Sequence, residues 1–228
     1  MNRNDQPTIG LLTSGGLDSC ILLGHLLEQG QPVQPIYIHS GLVWQETELQ
    51  HLQRFLHEIA CSALQELVVL QLPIADVYAD HWAVTGQQTP NASTPAEAVY
   101  LPGRNALLAI KAILWCQKND IKNLAIGVLG NSPFADAQPA FFEQFSTVMT
   151  IATGDQVHIQ NPFSQCDKRA VMTLGRHLPL QLTFSCIAPV HGLHCGVCNK
   201  CAERQQAFSL VGMTDPTMYD RGVVSGQW

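Results

Sequence analysis

The chain opens on an apolar run, Thr8 to Thr13 (TIGLLT), which reads as a strand closed by a Ser-Gly-Gly turn. Behind the turn, CILLGHLLEQ has the pattern of a helix, with Asp18 or Ser19 as its cap and Gly30 as the residue that ends it. Val33 to His39 reads as a second strand. Gln45 to Ala60 carries Leu49, Leu52, Leu56 and Ile59 at helical spacing, and Leu67 to Leu72 has the compact apolar composition of a strand buried on both faces. From Pro73 to Pro102 the pattern dissolves into Thr, Pro, Asn and Ala; a stretch of that length inside a compact domain marks an active-site flap. Helical spacing resumes over Asn105 to Lys118, a strand follows at Leu124 to Val128, and helices are predicted at Pro139 to Ile151 and Lys168 to His177. Strands alternating with helices imply right-handed crossovers and an α/β, doubly wound parallel sheet, whose ligands bind at the carboxyl ends of the strands.

Composition narrows the class. With 228 residues, 46% of them hydrophobic, the chain can build a core without disulfides, and no stretch approaches the ~18 uninterrupted apolar residues that span a bilayer. The first ten residues lack a signal-peptide apolar region, so the expectation is a cytoplasmic protein with no membrane partner. A net charge of −6 and no Lys/Arg run argue against nucleic acid as a partner. Charged residues are only 13%, which points to self-association, and a homodimer is expected.

Two clusters carry chemistry. Ser14-Gly15-Gly16-Leu17-Asp18-Ser19, entered through Leu12 and Thr13, sits at the end of the first strand and opens a helix. Its glycines let backbone N–H groups approach a phosphate, and the helix N-terminus adds positive potential. Asp18 would repel a bare phosphate and makes sense as a cap or a magnesium partner. No Gly-Lys-Ser/Thr follows, and the Gly-x-Gly-x-x-Gly spacing fails, so neither a Walker A loop nor a dinucleotide fingerprint is present. Of the eight cysteines, Cys20, Cys61, Cys116 and Cys166 are scattered among apolar neighbours and read as core thiols. Cys186, Cys195, Cys198 and Cys201 are clustered, which without a secretory signal favours metal over disulfides. Four thiolates make a closed structural zinc site. A [4Fe–4S] cluster is the rival for C-x-x-C-x-x-C, but the further Cys followed by Pro is absent; His191 and His194 are alternative ligands.

The first cluster resembles the SGGxDS signature of the PP-loop ATP pyrophosphatases, which adenylate a substrate oxygen and displace AMP with a nucleophile. Together with the cysteine-rich end, the chain resembles the 7-cyano-7-deazaguanine synthase (QueC) family over most of its length. Leu101-Pro102-Gly103-Arg104-Asn105 looks like that family's PGRN segment. Pro162 with Lys168, Thr183-Phe184-Ser185-Cys186, the run His194 to Cys201 with Glu203-Arg204 and Ala207-Phe208, and Asp215-Pro216-Thr217 with Tyr219 match further segments. The chain departs from the family at Leu17, where Gln is common. It departs again at His39-Ser40-Gly41-Leu42-Val43-Trp44, and at Phe134-Ala135-Asp136-Ala137-Gln138, where only the Asp is kept.

The resemblance implies a PP-loop nucleotide-binding domain over 1–180 with a C-terminal zinc-binding region over 181–228 packed on it. It implies ATP, Mg2+ and one structural Zn2+. It also implies a two-stage ligation in which 7-carboxy-7-deazaguanine is adenylated, ammonia gives the amide, and a second adenylation gives the nitrile. Carried onto this sequence, Leu12 to Ser19 hold ATP, Asp18 and Lys168 are catalytic, Arg104, Asn105 and Asp136 bind substrate, and Cys186, Cys195, Cys198 and Cys201 bind metal. Arg104 is a second candidate cation. Asp136 either meets the guanine edge or caps the helix that Pro139 joins, and Trp44, Tyr100 and Phe134 stack on a purine or simply pack. The competing readings are a paralogue acting on another acid or amine and a zinc-stapled nucleotide sensor.

Overall fold

The computed structural model describes residues 6–220. Five parallel strands form one sheet in the order β3-β2-β1-β4-β5: β1 (Ile9–Leu12), β2 (Val33–His39), β3 (Val68–Gln71), β4 (Asn123–Ile126) and β5 (His158–Gln160). Side chains alternate between faces, and both faces are covered. Leu11, Val33, Tyr37 and Ala125 join a core with α1 (Leu17–Glu28), α2 (Gln45–Glu58), α7 (Lys168–Leu174) and α8 (Asn199–Leu210). Ile36, Ile38 and Leu124 point the other way, against α5 (Arg104–Lys118) and α6 (Pro139–Thr153). Leu11, Ile21, Leu22 and Leu23 are fully buried, each stabilising by about 1.5–3 kcal/mol.

Helix α1 departs from expectation at its start. Gly16, not Asp18 or Ser19, is the N-cap, and Asp18 lies inside the first turn with its carboxylate directed elsewhere. Its end is as the sequence implies: Gly30, at φ +77°, donates to Leu27 O at 2.9 Å and Gln31 to Leu26 O at 3.1 Å, a paired closure of the last carbonyls. Strand β3 is an edge strand with alternating half-buried and exposed residues, because pairing on one side only leaves its outer face open; the expectation of burial on both faces fails.

Residues 73–102 hold more structure than their composition suggests: α3 (Ala75–Tyr78), α4 (Trp82–Thr85) and a 3-10 turn at Ala96–Val99. Single turns are too short to leave a period in the sequence. A third apolar cluster fastens this stretch to the C-terminal segment, joining Ile74, Ala83 and Leu101 with Trp44, Phe184, Ile187 and the four clustered cysteines. Among the described residues, no helix is long and apolar enough to cross a membrane.

Candidate active site and cysteine cluster

The strand order reverses between β1 and β4, the place where an open parallel sheet parts its loops and leaves a crevice. The loop after β1 is the Ser14–Ser19 turn. Gly15 stands at φ +74°, where a Cβ would also sit 3.3 Å from Glu48 O and Leu52 Cβ, so glycine is required on two counts. The turn is laced by its own hydroxyls: Ser14 N–H donates to Ser19 Oγ at 3.3 Å, Gly16 N–H to Ser14 Oγ at 3.4 Å, and Ser19 Oγ to Gly16 O at 3.3 Å. From outside, Phe184 N–H donates to Gly15 O at 2.7 Å. Beyond β4, a Cβ on Gly127 would lie 3.2 Å from the Asp18 and Ser19 backbone, so this glycine admits the start of α1 to the sheet.

A cavity of about 370 Å³ opens here. Its wall includes Leu12, Thr13, Ser14, Gly16, Leu17, Asp18 and Ser19, with Arg104, Asn105 and Lys168. The Lys168 ammonium donates to both Asp18 oxygens, at 2.6 and 2.7 Å, so two residues predicted from opposite ends of the chain meet at the phosphate turn. Asp167 prepares this by capping α7, its carboxylate accepting from Ala170 N–H at 2.8 Å. Two polar atoms of wall residues, Thr13 Oγ1 and Arg104 Nε, are buried with no hydrogen-bond partner among the described residues.

Asp136 behaves differently. It is 6% exposed and does not line the cavity. Its carboxylate accepts from Asn105 N–H at 3.1 Å, while Asn105 Nδ2 donates to Asp136 O at 3.0 Å. It therefore caps α5, not the helix that Pro139 joins. Helix α5 needs a cap from elsewhere because its own N-cap position is Gly103, which offers no side chain. Each aromatic candidate stacks on another ring, Trp44 on Trp82 at 5.6 Å and Tyr100 on Phe134 at 5.0 Å, and of the three candidates only Trp44 and Phe134 reach the cavity.

Several wall residues escape the sequence reading. Glu48 is 7% exposed and its Oε2 accepts from Tyr37 Oη at 2.8 Å; burial pushes its carboxyl up to about 7, against the Tyr37 hydrogen bond and the Arg104 charge, which pull it down. One turn before Leu52, it falls on the buried side of α2, and this was the available signal. Lys200 and Glu203, ion-paired at 2.8 Å, and the buried Arg204 enter from α8. That helix was missed because its buried positions include Asn199, Cys201 and Arg204, which leave no apolar period.

The four clustered cysteines converge, with all sulfurs within 4.8 Å of one another and all buried. Cys186 Sγ lies 3.8 Å from Cys198 Sγ, and Cys195 Sγ 3.9 Å from Cys201 Sγ. Backbone N–H groups of Ala188, Cys195, Cys198 and Cys201 point at sulfurs from 3.3–3.4 Å, the arrangement that stabilises thiolates. His194 is drawn away from this cluster: its Nε2 accepts from Ser185 N–H at 3.1 Å, and burial, helped by the Arg204 and His51 charges, lowers it to about 3. His191 pairs with Asp220 at 2.8 Å.

A family model for the queuosine biosynthesis protein QueC matches residues 9–212, a span that contains the serine-glycine turn, Lys168 and all four cysteines. The chain belongs to the QueC family. The 7-cyano-7-deazaguanine synthase of Methanosphaerula palustris is 30% identical over 228 residues, covering 92% of this chain and 97% of that protein. The 7-cyano-7-deazaguanine synthase 1 of Desulfitobacterium hafniense is 31% identical over 206 residues, covering 88% and 90%. That of Chlorobium phaeovibrioides is 28% identical over 222 residues, covering 92% and 95%. Within this QueC chain, the cavity at the switch point and the cysteine cluster share the apolar contacts of Phe184 and Ile187, so the two centres are neighbours.

Proposed function

We propose that this chain is an ATP-dependent synthetase that converts 7-carboxy-7-deazaguanine and ammonia to 7-cyano-7-deazaguanine. The observation that carries the reading is the union, inside a QueC-family chain, of the phosphate turn with the Lys168–Asp18 pair and partnerless polar atoms in one cavity. In this reading the amides of Gly16 and its neighbours at the start of α1 receive the pyrophosphate. Arg104 and Lys168 offset the charge that builds as the substrate oxygen attacks the α-phosphate of a magnesium-bound ATP. The apolar wall from Trp44, Trp82, Val99 and Leu101 keeps water from the acyl adenylate. The donor set of the cysteine cluster suits zinc: about 2.3 Å Zn–S bonds in a regular tetrahedron separate sulfurs by about 3.8 Å, close to the spacings found. Cys186, Cys195, Cys198 and Cys201 would hold the ion, and with four thiolates it leaves no open position and serves structure. Cytoplasmic action on small molecules, as a homodimer, completes the proposal.

A second reading, a paralogue with the same adenylation chemistry on another acid, is favoured by one finding. Asp136 spends its carboxylate on α5 and lies outside the cavity wall, which at the departing segments is instead Trp44, Gln45 and Phe134. A product assay separates the two readings. With ATP, magnesium, ammonium and 7-carboxy-7-deazaguanine, mass spectrometry is expected to find the nitrile, with AMP formed at both stages. Turnover of a different acid, with none of this one, would replace the first reading by the second.

A further inference from the structure

Three carboxylates line the cavity: Asp18, Glu48 and Glu203. Two have an ammonium partner, Asp18 in Lys168 and Glu203 in Lys200. Glu48 has a hydroxyl partner in Tyr37 and, among the described residues, no ammonium or guanidinium within ion-pair distance. It is also placed by the phosphate turn itself, because its Cγ would stand 3.4 Å from a Cβ on Gly15. The turn and α2 therefore fix this side chain in the wall of the cavity where the reading above has the adenylate form. Gln45, three residues earlier, accepts at Oε1 from the backbone N–H groups of Ser40 and Leu42 and donates from Nε2 to Ile38 O, which ties the first turn of α2 to β2.

We infer that Glu48 is the catalytic base that takes the proton from the nitrogen nucleophile as it attacks the acyl adenylate. The inference rests on the adenylating function proposed above. In the step, the nitrogen lone pair forms the C–N bond and the carbon–oxygen bond to AMP breaks. AMP leaves with that electron pair, and one N–H proton passes to the Glu48 carboxylate, which later releases it to water. Amide, AMP and a neutral Glu48 are the products, and no co-reactant is needed.

The groups that face Glu48 are consistent with this duty. Tyr37 from β2 donates to it, Arg104 from α5 favours its charged form, and Cys20 comes from α1. A carboxyl that titrates about pH 7 is matched to accepting and releasing a proton at neutral pH.

The test compares full-length wild type, Glu48→Gln, Glu48→Asp and Tyr37→Phe in two assays between pH 5.5 and 9. The first is acid-dependent ATP–pyrophosphate exchange without ammonium, which reads adenylation alone. The second is single-turnover amide formation with ammonium. Glu48→Gln is expected to keep exchange within about threefold and to slow amide formation by about 10²–10³-fold, and, with rates referred to the concentration of free ammonia at each pH, the remaining acid limb of the profile should be gone. Glu48→Asp should lose less and keep the limb. Tyr37→Phe should move the limb to higher pH, because it removes a hydrogen bond that favours the carboxylate; that shift keeps the inference testable if Glu48→Gln does not fold. Amide formation by Glu48→Gln at the wild-type rate, or an unmoved limb in Tyr37→Phe, would overturn the role while leaving adenylation standing. Wild type without exchange would overturn the adenylating function and this role with it.

Discussion

Lys168 and Asp18 are 150 residues apart in sequence and meet at 2.6 Å, and at the residue scale this pair marks the end of the cavity that the proposed function gives to phosphate. Lys168→Met should reduce AMP formation by about 10²-fold or more, since it removes a cation placed for developing charge, while far-UV circular dichroism stays unchanged. AMP release at the wild-type rate would take Lys168 out of the site. Glu48 supplies a second prediction, in stability. Its carboxyl titrates about 7 in the folded chain against an ordinary 4.5, so the folded state binds this proton more tightly than the unfolded state does. The contribution is fully present below about pH 4.5 and is lost as pH rises through about 7. Glu48→Gln removes the loss: urea melts should show the variant gaining on wild type with rising pH, levelling near ~3 kcal/mol above pH 7. A difference that does not vary with pH would contradict the burial argument.

At the scale of elements, the stretch between β3 and α5 is held by the start of α8. Asn199 N–H donates to Pro90 O at 2.9 Å, Ala92 N–H to Val197 O at 2.9 Å, and the buried Asn199 side chain donates to Thr94 O at 2.8 Å. Asn199→Ala cuts the side-chain tether, at about 1–3 kcal/mol. Faster amide exchange is expected over 82–101, which supplies part of the cavity wall, together with a KM raised more than kcat is lowered; unchanged exchange would show the tether to be redundant. Legibility in the sequence follows the same physics. Strands β1, β2 and β4 and helices α1, α2, α5, α6 and α7 announce themselves because apolar periodicity decides their packing. Helix α8 and β5 do not. The first buries Asn199, Cys201 and Arg204, and the second is three residues at an edge, with His158 and Gln160 exposed. The serine-glycine turn, Arg104 and Lys168, which the fold gathers on one cavity wall, and the four cysteines, which it brings together, stand out in the sequence by residue type and spacing. Glu48 is hidden by looking like a surface residue of an amphipathic helix, and the capping of α5 by Asp136 is in neither reading of that residue, the guanine edge or the helix that Pro139 joins, because only the fold brings it beside Asn105.

For the whole molecule, one sheet reversal and one cysteine cluster organise everything else. The reversal between β1 and β4 creates the cavity, and the cluster gathers Phe184, Leu101 and Trp44 into a core of their own along its flank. Cys198→Ser should therefore lower zinc content and stability together. A fall in Tm of about 10 °C is expected in a chain of this size, measured alongside metal by mass spectrometry. A zinc-free variant with wild-type Tm and activity would separate the cluster from the fold. The central claim, that the cavity activates a carboxylate by adenylation, is tested most directly by isotope transfer. With 7-carboxy-7-deazaguanine labelled with ¹⁸O in its carboxylate, magnesium ATP and ammonium, the AMP formed should carry ¹⁸O from the acid. AMP without label, or no AMP from the folded protein, would contradict the account.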